Sequence, residues 1–346
     1  MLQTLQRFLE SFLDTVMGQT AMLAVGIALL LAGGHWLVTG SVTIARRLGL
    51  STLFVGLTIV AFGTSAPELV FNVIAASSGH SELSFGNIVG SNIANIGLIL
   101  GLAALISPLT VHGRVVSKEL PWLIVVSVAV AALAWCAPGV GEGQKGFSRV
   151  DGAAMLVLFA IFMASWYRMG RRETGDPLVR ELGQEAAAET RASLTAAVGF
   201  LILGLAGLVG GGKLAETGAV EIATLLGLSQ ALIGLTIVAF ATSLPELATA
   251  IIACRRGHHD LAVGNVVGSN FFNLLFVLAV TAIIAPVAMP AKWGPWDLGV
   301  MIVITILLLP MAISHRRRIT RWEGAILLGA YVAYMAVRVV LRDQPA

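Results

Sequence analysis

Of the 19 aspartates and glutamates in this 346-residue chain, only Glu68 and Glu246 stand deep inside long apolar segments. An ionised carboxylate at the centre of a bilayer costs roughly 2.5–3.5 kcal/mol even on the most lenient scale. No Lys or Arg sits deep in an apolar segment to offset that cost, which leaves a metal cation or a proton as the partner. Each glutamate follows a proline, in Gly63-Thr64-Ser65-Ala66-Pro67-Glu68 and in Ala241-Thr242-Ser243-Leu244-Pro245-Glu246. Proline lacks an N–H and clashes with the carbonyl four residues back, so it interrupts a helix. Non-helical backbone at membrane depth is tolerated only where it is buried in protein or lines a cavity. Carbonyls around Ala61 to Thr64, their counterparts in the second stretch, and the hydroxyls of Thr64, Ser65, Thr242 and Ser243 are therefore expected to converge on the carboxylates. Hard cations such as Na+ and Ca2+ take all-oxygen shells, Ca2+ with about 6–8 ligands. No paired His and Cys set is present to suit a softer metal.

More oxygen follows downstream. Ser91 and Asn95 lie four apart, as do Ser269 and Asn273, a spacing that puts each pair on one helix face. Each signal has a plain structural alternative. A proline kink can serve packing, a buried glutamate can be a protonated structural acid, and Gly86/Gly90 and Gly264/Gly268 fit close helix packing. What favours function is that kink, acid, Thr-Ser and Ser/Asn occur together twice. Residues 56–108 lie on residues 234–286 without a gap at an offset of 178, with 28 identities in 53 positions.

Elements must hold these residues at depth. The chain is 57% hydrophobic and 12% charged, with a mean hydropathy of +0.88, against about 25% charged for an ordinary soluble domain. A soluble globule of this size could not hide that much apolar surface, and no enzyme reaction is implied. Apolar segments at 20–45, 52–78, 84–108, 119–137, 150–168, 193–212, 229–254, 262–285, 296–313 and 323–341 predict ten transmembrane helices. The fold class expected is an all-α polytopic membrane protein. Residues 1–168 form a first five-helix repeat, 169–191 a short cytoplasmic linker and 192–346 a second repeat. Five is odd, so the second copy enters the membrane upside down. Such inverted-topology repeats commonly place a site near the midplane between them. Residues 1–20 do not read as a signal peptide, Cys136 and Cys254 read as unpaired packing residues, and His80 and His258 as solvated loop residues.

GTSAPE and GNIVGSNIAN at 63–68 and 86–95, with ATSLPE and GNVVGSNFFN at 241–246 and 264–273, resemble the two alpha-repeats of the cation/calcium exchanger superfamily, in its prokaryotic sodium/calcium exchanger family. The resemblance implies ten helices, with the second, third, seventh and eighth spans forming the site and the first and sixth sliding past them. It implies that Glu68 and Glu246 are ligands shared by Ca2+ and Na+, with the Thr64 and Thr242 carbonyls completing the Ca2+ site. The Ala61 and Ala239 carbonyls with Ser65, Ser243, Ser91 and Ser269 would line flanking Na+ positions, and Asn95 and Asn273 would sit between the glutamates. Two residues depart from the pattern. Ala241 replaces a usual Gly, and Asn273 stands where many relatives carry Asp, which argues against K+ coupling.

The function this implies is Na+/Ca2+ antiport across the membrane by alternating access, with a Ca2+/H+ antiporter on the same glutamates as the alternative. Ca2+, Na+ and the bilayer are then the partners. No cofactor, nucleic acid or obligate protein partner is expected, nor any Ca2+-sensing module in the short central stretch. Fifteen of the 22 Lys and Arg, including Arg46, Arg47, Arg255, Arg256 and the Arg316–Arg318 run, fall on one side if the N-terminus is outside. The positive-inside rule then places both termini outside the inner membrane and the central loop in the cytoplasm. Cysteine introduced at Gln184 should resist an impermeant thiol reagent in intact cells, and cysteine at Gln344 should react; the reverse pattern inverts the orientation.

Overall fold

The computed structural model describes residues 15–136, 140, 144–173, 193–226 and 239–340, which are almost wholly helical. Helix α1 is Val16–Leu48. Helices α2 (Thr52–Thr64) and α3 (Ala66–Ser77) meet at a bend of 41°. Then come α4 (Ser81–Ile106), α5 (Val115–Trp135), α6 (Arg149–Glu173) and α7 (Leu194–Leu225). The short α8 (Ala239–Ala241) precedes α9 (Leu244–Arg255), α10 (His259–Ile284), α11 (Gly294–Arg317) and α12 (Arg321–Val340). Among the described residues eight helices are long and apolar enough to cross a membrane, and the bent pair α2–α3 makes a ninth span. The expected span 229–254 is seen only as α8 and α9, because residues 227–238 lie outside the described set. The predicted linker 169–191 lies outside it from residue 174, and α6 runs on to Glu173.

Local chemistry sets several of these ends. Thr15 caps α1 by accepting a hydrogen bond from the Gly18 amide at 3.1 Å, and Gly49, at φ 64°, ends it in the left-handed region that glycine adopts without a Cβ penalty. Gly79 and Gly257, at φ 83° and 78°, turn the chain after α3 and after α9 at matching repeat positions. The sixth expected segment stops at 212, yet α7 continues to Leu225. Glycines 210–212 and Lys213 read as a helix end by composition. In the structure Lys213 pairs with Glu216 one turn on, at 3.0 Å, and Gly211 packs on α1.

Packing between α1 and α7 explains the glycines. Gly26, Gly33 and Gly40 of α1 recur every seven residues, as do Gly204, Gly211 and Gly218 of α7. A Cβ on Gly33 would come within 2.7 Å of the Leu208 amide nitrogen, and one on Gly204 within 2.5 Å of that of Leu37. Lipid tails are as apolar as leucine, so membrane helices associate through such close backbone contact. Each glycine of α1 lies 178 positions before one of α7, so the sequence correspondence reaches beyond the 53-residue stretch.

Two short antiparallel ribbons close the ends. In one, β1 (Leu109–Thr110) pairs with β4 (Arg318–Ile319); in the other, β2 (Gly146–Phe147) pairs with β3 (Val287–Ala288). Strands β1 and β3 again stand 178 positions apart. Inside α4 and α10 the helix widens to π geometry over Asn95–Leu100 and Asn273–Val277. Both widenings start at the matching asparagines, and π segments are frequent at functional sites.

The α1–α7 contact predicts a contrast on one helix. Gly204→Val should lower stability in detergent by about 1–3 kcal/mol through overpacking. Gly199→Val, whose Cβ meets nothing within 4 Å, should stay within about 0.5 kcal/mol. Thermal unfolding of the two purified variants checks this.

Candidate functional site

The prolines start helices here instead of interrupting them from within. Ser65 (φ −84°, ψ 3°) leaves the helical path after α2, and Pro67 and Glu68 occupy the first turn of α3. Ser243 (φ −90°, ψ 3°), Pro245 and Glu246 repeat this at the start of α9. A proline in the first turn removes only an N–H that would have no partner there. The positive end of each helix dipole consequently meets its glutamate. The Ala61 carbonyl is engaged, accepting from the Ser65 amide at 3.0 Å and from the Thr64 hydroxyl at 3.4 Å. Ala239 opens α8.

Glu68 and Glu246 are buried, at 1% and 0% exposure. The Ser65 hydroxyl donates to Glu246 Oε1 at 3.3 Å, which brings the first bend against the second glutamate. Oε2 of each glutamate is buried without a hydrogen-bond partner. Other buried acids differ. Glu119 binds Arg114 at 2.9 Å and accepts from the Trp166 indole at 3.0 Å. Asp297 lies 3.4 Å from Arg338 and accepts from the Tyr334 hydroxyl at 3.0 Å. Neither site glutamate has a Lys, Arg or His partner among the described residues.

Amides knit the two halves together. The Thr64 hydroxyl donates to Asn265 Oδ1 at 3.2 Å, and Asn87 Nδ2 donates to Thr242 Oγ1 at 3.4 Å. Asn95 Nδ2 donates to Asn270 Oδ1 at 2.9 Å, and Asn270 Nδ2 donates to the Asn92 carbonyl at 3.5 Å. Asn87, Asn92, Asn265 and Asn270 were not singled out from the sequence. Their signal was present, because each is matched by an identical residue 178 positions away. The hydroxyls of Ser91, Ser243 and Ser269, Asn95 Oδ1 and both amide atoms of Asn273 are buried without partners. Buried polar groups are almost always satisfied in folded proteins, so these orphaned oxygens, on the bends and on the helices packed against them, make a cation their candidate partner. Among the described residues no three His, Cys, Asp or Glu side chains gather. The oxygens come instead from hydroxyls, amides and two acids, a set suited to a hard ion.

Other expectations fall outside this cluster. Cys254 is buried and free, whereas the Cys136 side chain lies outside the described set. His80 is exposed. His258, between α9 and α10, is half-buried, and burial together with the Arg46 and Arg256 guanidiniums holds it below the usual imidazole range.

Comparison with known proteins bears on what such a site serves. Residues 18–167 and 196–340 match the model of the sodium/calcium exchanger protein family. CaxA of Alkalimonas amylolytica is 40% identical over 320 residues, covering 91% of this chain and 97% of the relative. The inner membrane protein YrbG of Escherichia coli K12 is 35% identical, covering 92% and 96%. The structure of the sodium-calcium exchanger NCX_Mj soaked with Na+ and Ca2+ superposes with a TM-score of 0.76 at 32% identity, covering 93% of this chain and 99% of that one. A multi-span membrane chain matched along almost its whole length belongs to the sodium/calcium exchanger family, a family of ion transporters and not of enzymes.

Proposed function

We propose that this protein is a secondary antiporter of the cell membrane, the inner membrane in an organism with two, that lets Na+ run down its gradient and expels Ca2+ by alternating access. The observation that carries this reading is the pair of buried carboxylates, Glu68 and Glu246, without a Lys, Arg or His partner among the described residues, together with buried partnerless oxygens in both repeats. Two carboxylates carry a charge of −2, which one Ca2+ or two Na+ neutralise. The two loads exclude each other because they share both glutamates. Closing the site empty would bury two facing charges, at a cost far above thermal energy. That asymmetry forbids empty crossing and enforces exchange.

The ligand assignment is the one that the family resemblance implies. Glu68 and Glu246, with the carbonyls of Thr64 and Thr242, hold Ca2+. Ser65, Ser91, Ser243 and Ser269, with the Ala61 and Ala239 carbonyls at the outer ends, hold flanking Na+ ions, and Asn95 and Asn273 lie between the acids. Partnerless hydroxyls at Ser91, Ser243 and Ser269 favour Na+ over H+ as the driving ion, since a proton needs only the carboxylates.

The architecture proposed is ten spans in two inverted five-helix halves, at 1–168 and 192–346, joined by a cytoplasmic linker at 169–191 and with both termini outside. Its support is the offset of 178 shared by the bends, the π segments, the α1 and α7 glycines and strands β1 and β3. Vesicles loaded with labelled Ca2+ test the function. Release driven by an opposing Na+ gradient supports it, and release driven only by a pH gradient replaces it with the Ca2+/H+ antiporter.

Glu68→Gln and Glu246→Gln should each abolish that flux while the protein stays folded. Ca2+ at 100 times its Kd should stabilise the wild type by about 2.7 kcal/mol and leave both variants unmoved. Near-normal flux in either variant removes that residue from the site.

With more than two Na+ per Ca2+, each cycle moves net positive charge inward. One charge crossing 100 mV is worth about 2.3 kcal/mol, so an inside-negative potential should speed Ca2+ expulsion. Flux in proteoliposomes clamped with valinomycin reads this directly, and indifference to potential rejects electrogenic exchange. With the clamp set by another ion, flux should proceed without K+.

A further inference from the structure

Across the two polar stretches Asn87 matches Asn265, Asn92 matches Asn270 and Asn95 matches Asn273, but Asn72 matches Ala250. Asn72 is fully buried on α3, one turn beyond Glu68. Its Nδ2 donates to the Glu68 carbonyl at 2.7 Å and to Asn87 Oδ1 at 2.8 Å. A carbonyl oxygen only accepts, so the Asn72 amide is fixed with its nitrogen towards both partners.

The place of Glu68 in its helix gives that amide its weight. The first N–H groups of a helix have no acceptor one turn back. In α3 the Leu69 amide closes the first turn, donating to the Ser65 carbonyl at 3.2 Å. Glu68 stands just before it, so the helix holds the Glu68 peptide through its carbonyl side. Asn72 bonds that carbonyl and carries the tie across to α4. There Asn87, Ser91 and Asn95 follow at intervals of four, on one helix face. One amide thus links the backbone of a site glutamate to the helix face that bears two further candidate ligands.

The second half starts its helix in the same way, with the Leu247 amide donating to the Ser243 carbonyl at 3.0 Å. At the matching position, however, Ala250 carries no side-chain donor for the Glu246 carbonyl or for Asn265. The neighbouring Thr249 hydroxyl stays within α9, donating to the Pro245 carbonyl at 2.7 Å.

We propose that Asn72 is a positioning residue for Glu68: by anchoring the Glu68 peptide to α4 it presents the Glu68 carboxylate and the Ser91–Asn95 face to an ion as one unit, a tie that Ala250 cannot make for Glu246. The inference rests on the antiport reading above and assigns Asn72 no contact with the ion. Without the tie, Glu68 must be ordered when the ion binds, and that ordering costs affinity.

The test reads KM and kcat of Na+-driven Ca2+ flux in proteoliposomes. Asn72→Ala should raise the Ca2+ KM by roughly threefold to tenfold, the worth of one hydrogen bond, with a smaller change in kcat. Asn72→Ser keeps a hydroxyl able to bond the carbonyl one turn back in its own helix but falls short of Asn87. It should raise KM as Asn72→Ala does, and it decides the matter if that variant fails to fold. Asn87 also donates to Thr242 Oγ1 at 3.4 Å, so its own substitution breaks two bonds, and a double-mutant cycle isolates the one at issue. In an Asn87→Ala background, Asn72→Ala should shift KM far less than it does in the wild type. Thr249→Val removes an equally buried bond that joins no second helix, and should leave KM near the wild-type value. An unchanged or lowered KM in Asn72→Ala, a wild-type KM in Asn72→Ser, an undiminished shift beside Asn87→Ala, or an equal rise in Thr249→Val overturns the role of Asn72. Wild-type vesicles separate the two ideas. Absent Na+-driven Ca2+ flux there removes the antiport reading and this inference with it, whereas normal wild-type flux with any of those results removes only the inference.

Discussion

Two carboxylates buried without a protein cation are the constraint around which this protein is arranged. Glu68 and Glu246 sit in a segment of chain where charge is expensive, and the fold answers with oxygen and dipoles instead of lysine or arginine. Each glutamate occupies the first turn of a helix that begins at a bend. The helix dipole partly offsets its charge without filling the space a cation would take. Glu119 and Asp297 show the other solution. They are buried as deeply, and each binds an arginine and an aromatic donor. Those acids are neutralised within the protein, so they have nothing left to offer an ion.

The rest of the bundle divides by how it packs. Helices α4 and α10 are buried over most of their length and meet the bends through crossed threonine and asparagine hydrogen bonds. These cross between repeats, Thr64 with Asn265 and Asn87 with Thr242, so neither half can hold its side of the site alone. Helices α1 and α7 are mostly exposed and meet along glycines, with few polar links to the site bundle. One such link is Arg256, which donates to the Thr39 hydroxyl at 2.7 Å. The bundle thus joins a polar, interlocked part to a smooth, glycine-packed pair.

Near-symmetry supplies the candidate site. Thr, Ser, Glu and Asn residues recur at matching positions of the two stretches, but Asn72 is matched by Ala250.

Composition, periodicity and one internal repeat determined much of this from the sequence alone. Fifty-seven per cent hydrophobic residues force a membrane-spanning chain, and two isolated acids in matching frames mark the candidate site, because both features are one-dimensional and costly to carry without purpose. Helix ends were less legible. Composition stopped a span at residue 212, but contact with α1 and the Lys213–Glu216 pair carried α7 to Leu225. The prolines announced breaks, yet only the folded chain decided that they open new helices and leave the Ala61 carbonyl engaged. The π segments at Asn95 and Asn273 were not legible from the sequence. Asn87 and Asn265 were visible as repeats but not as site residues, because their role is to bond across 155 and 201 positions of chain. Spacing along a helix reveals which side chains share a face; which face of another helix they meet is set only by tertiary packing.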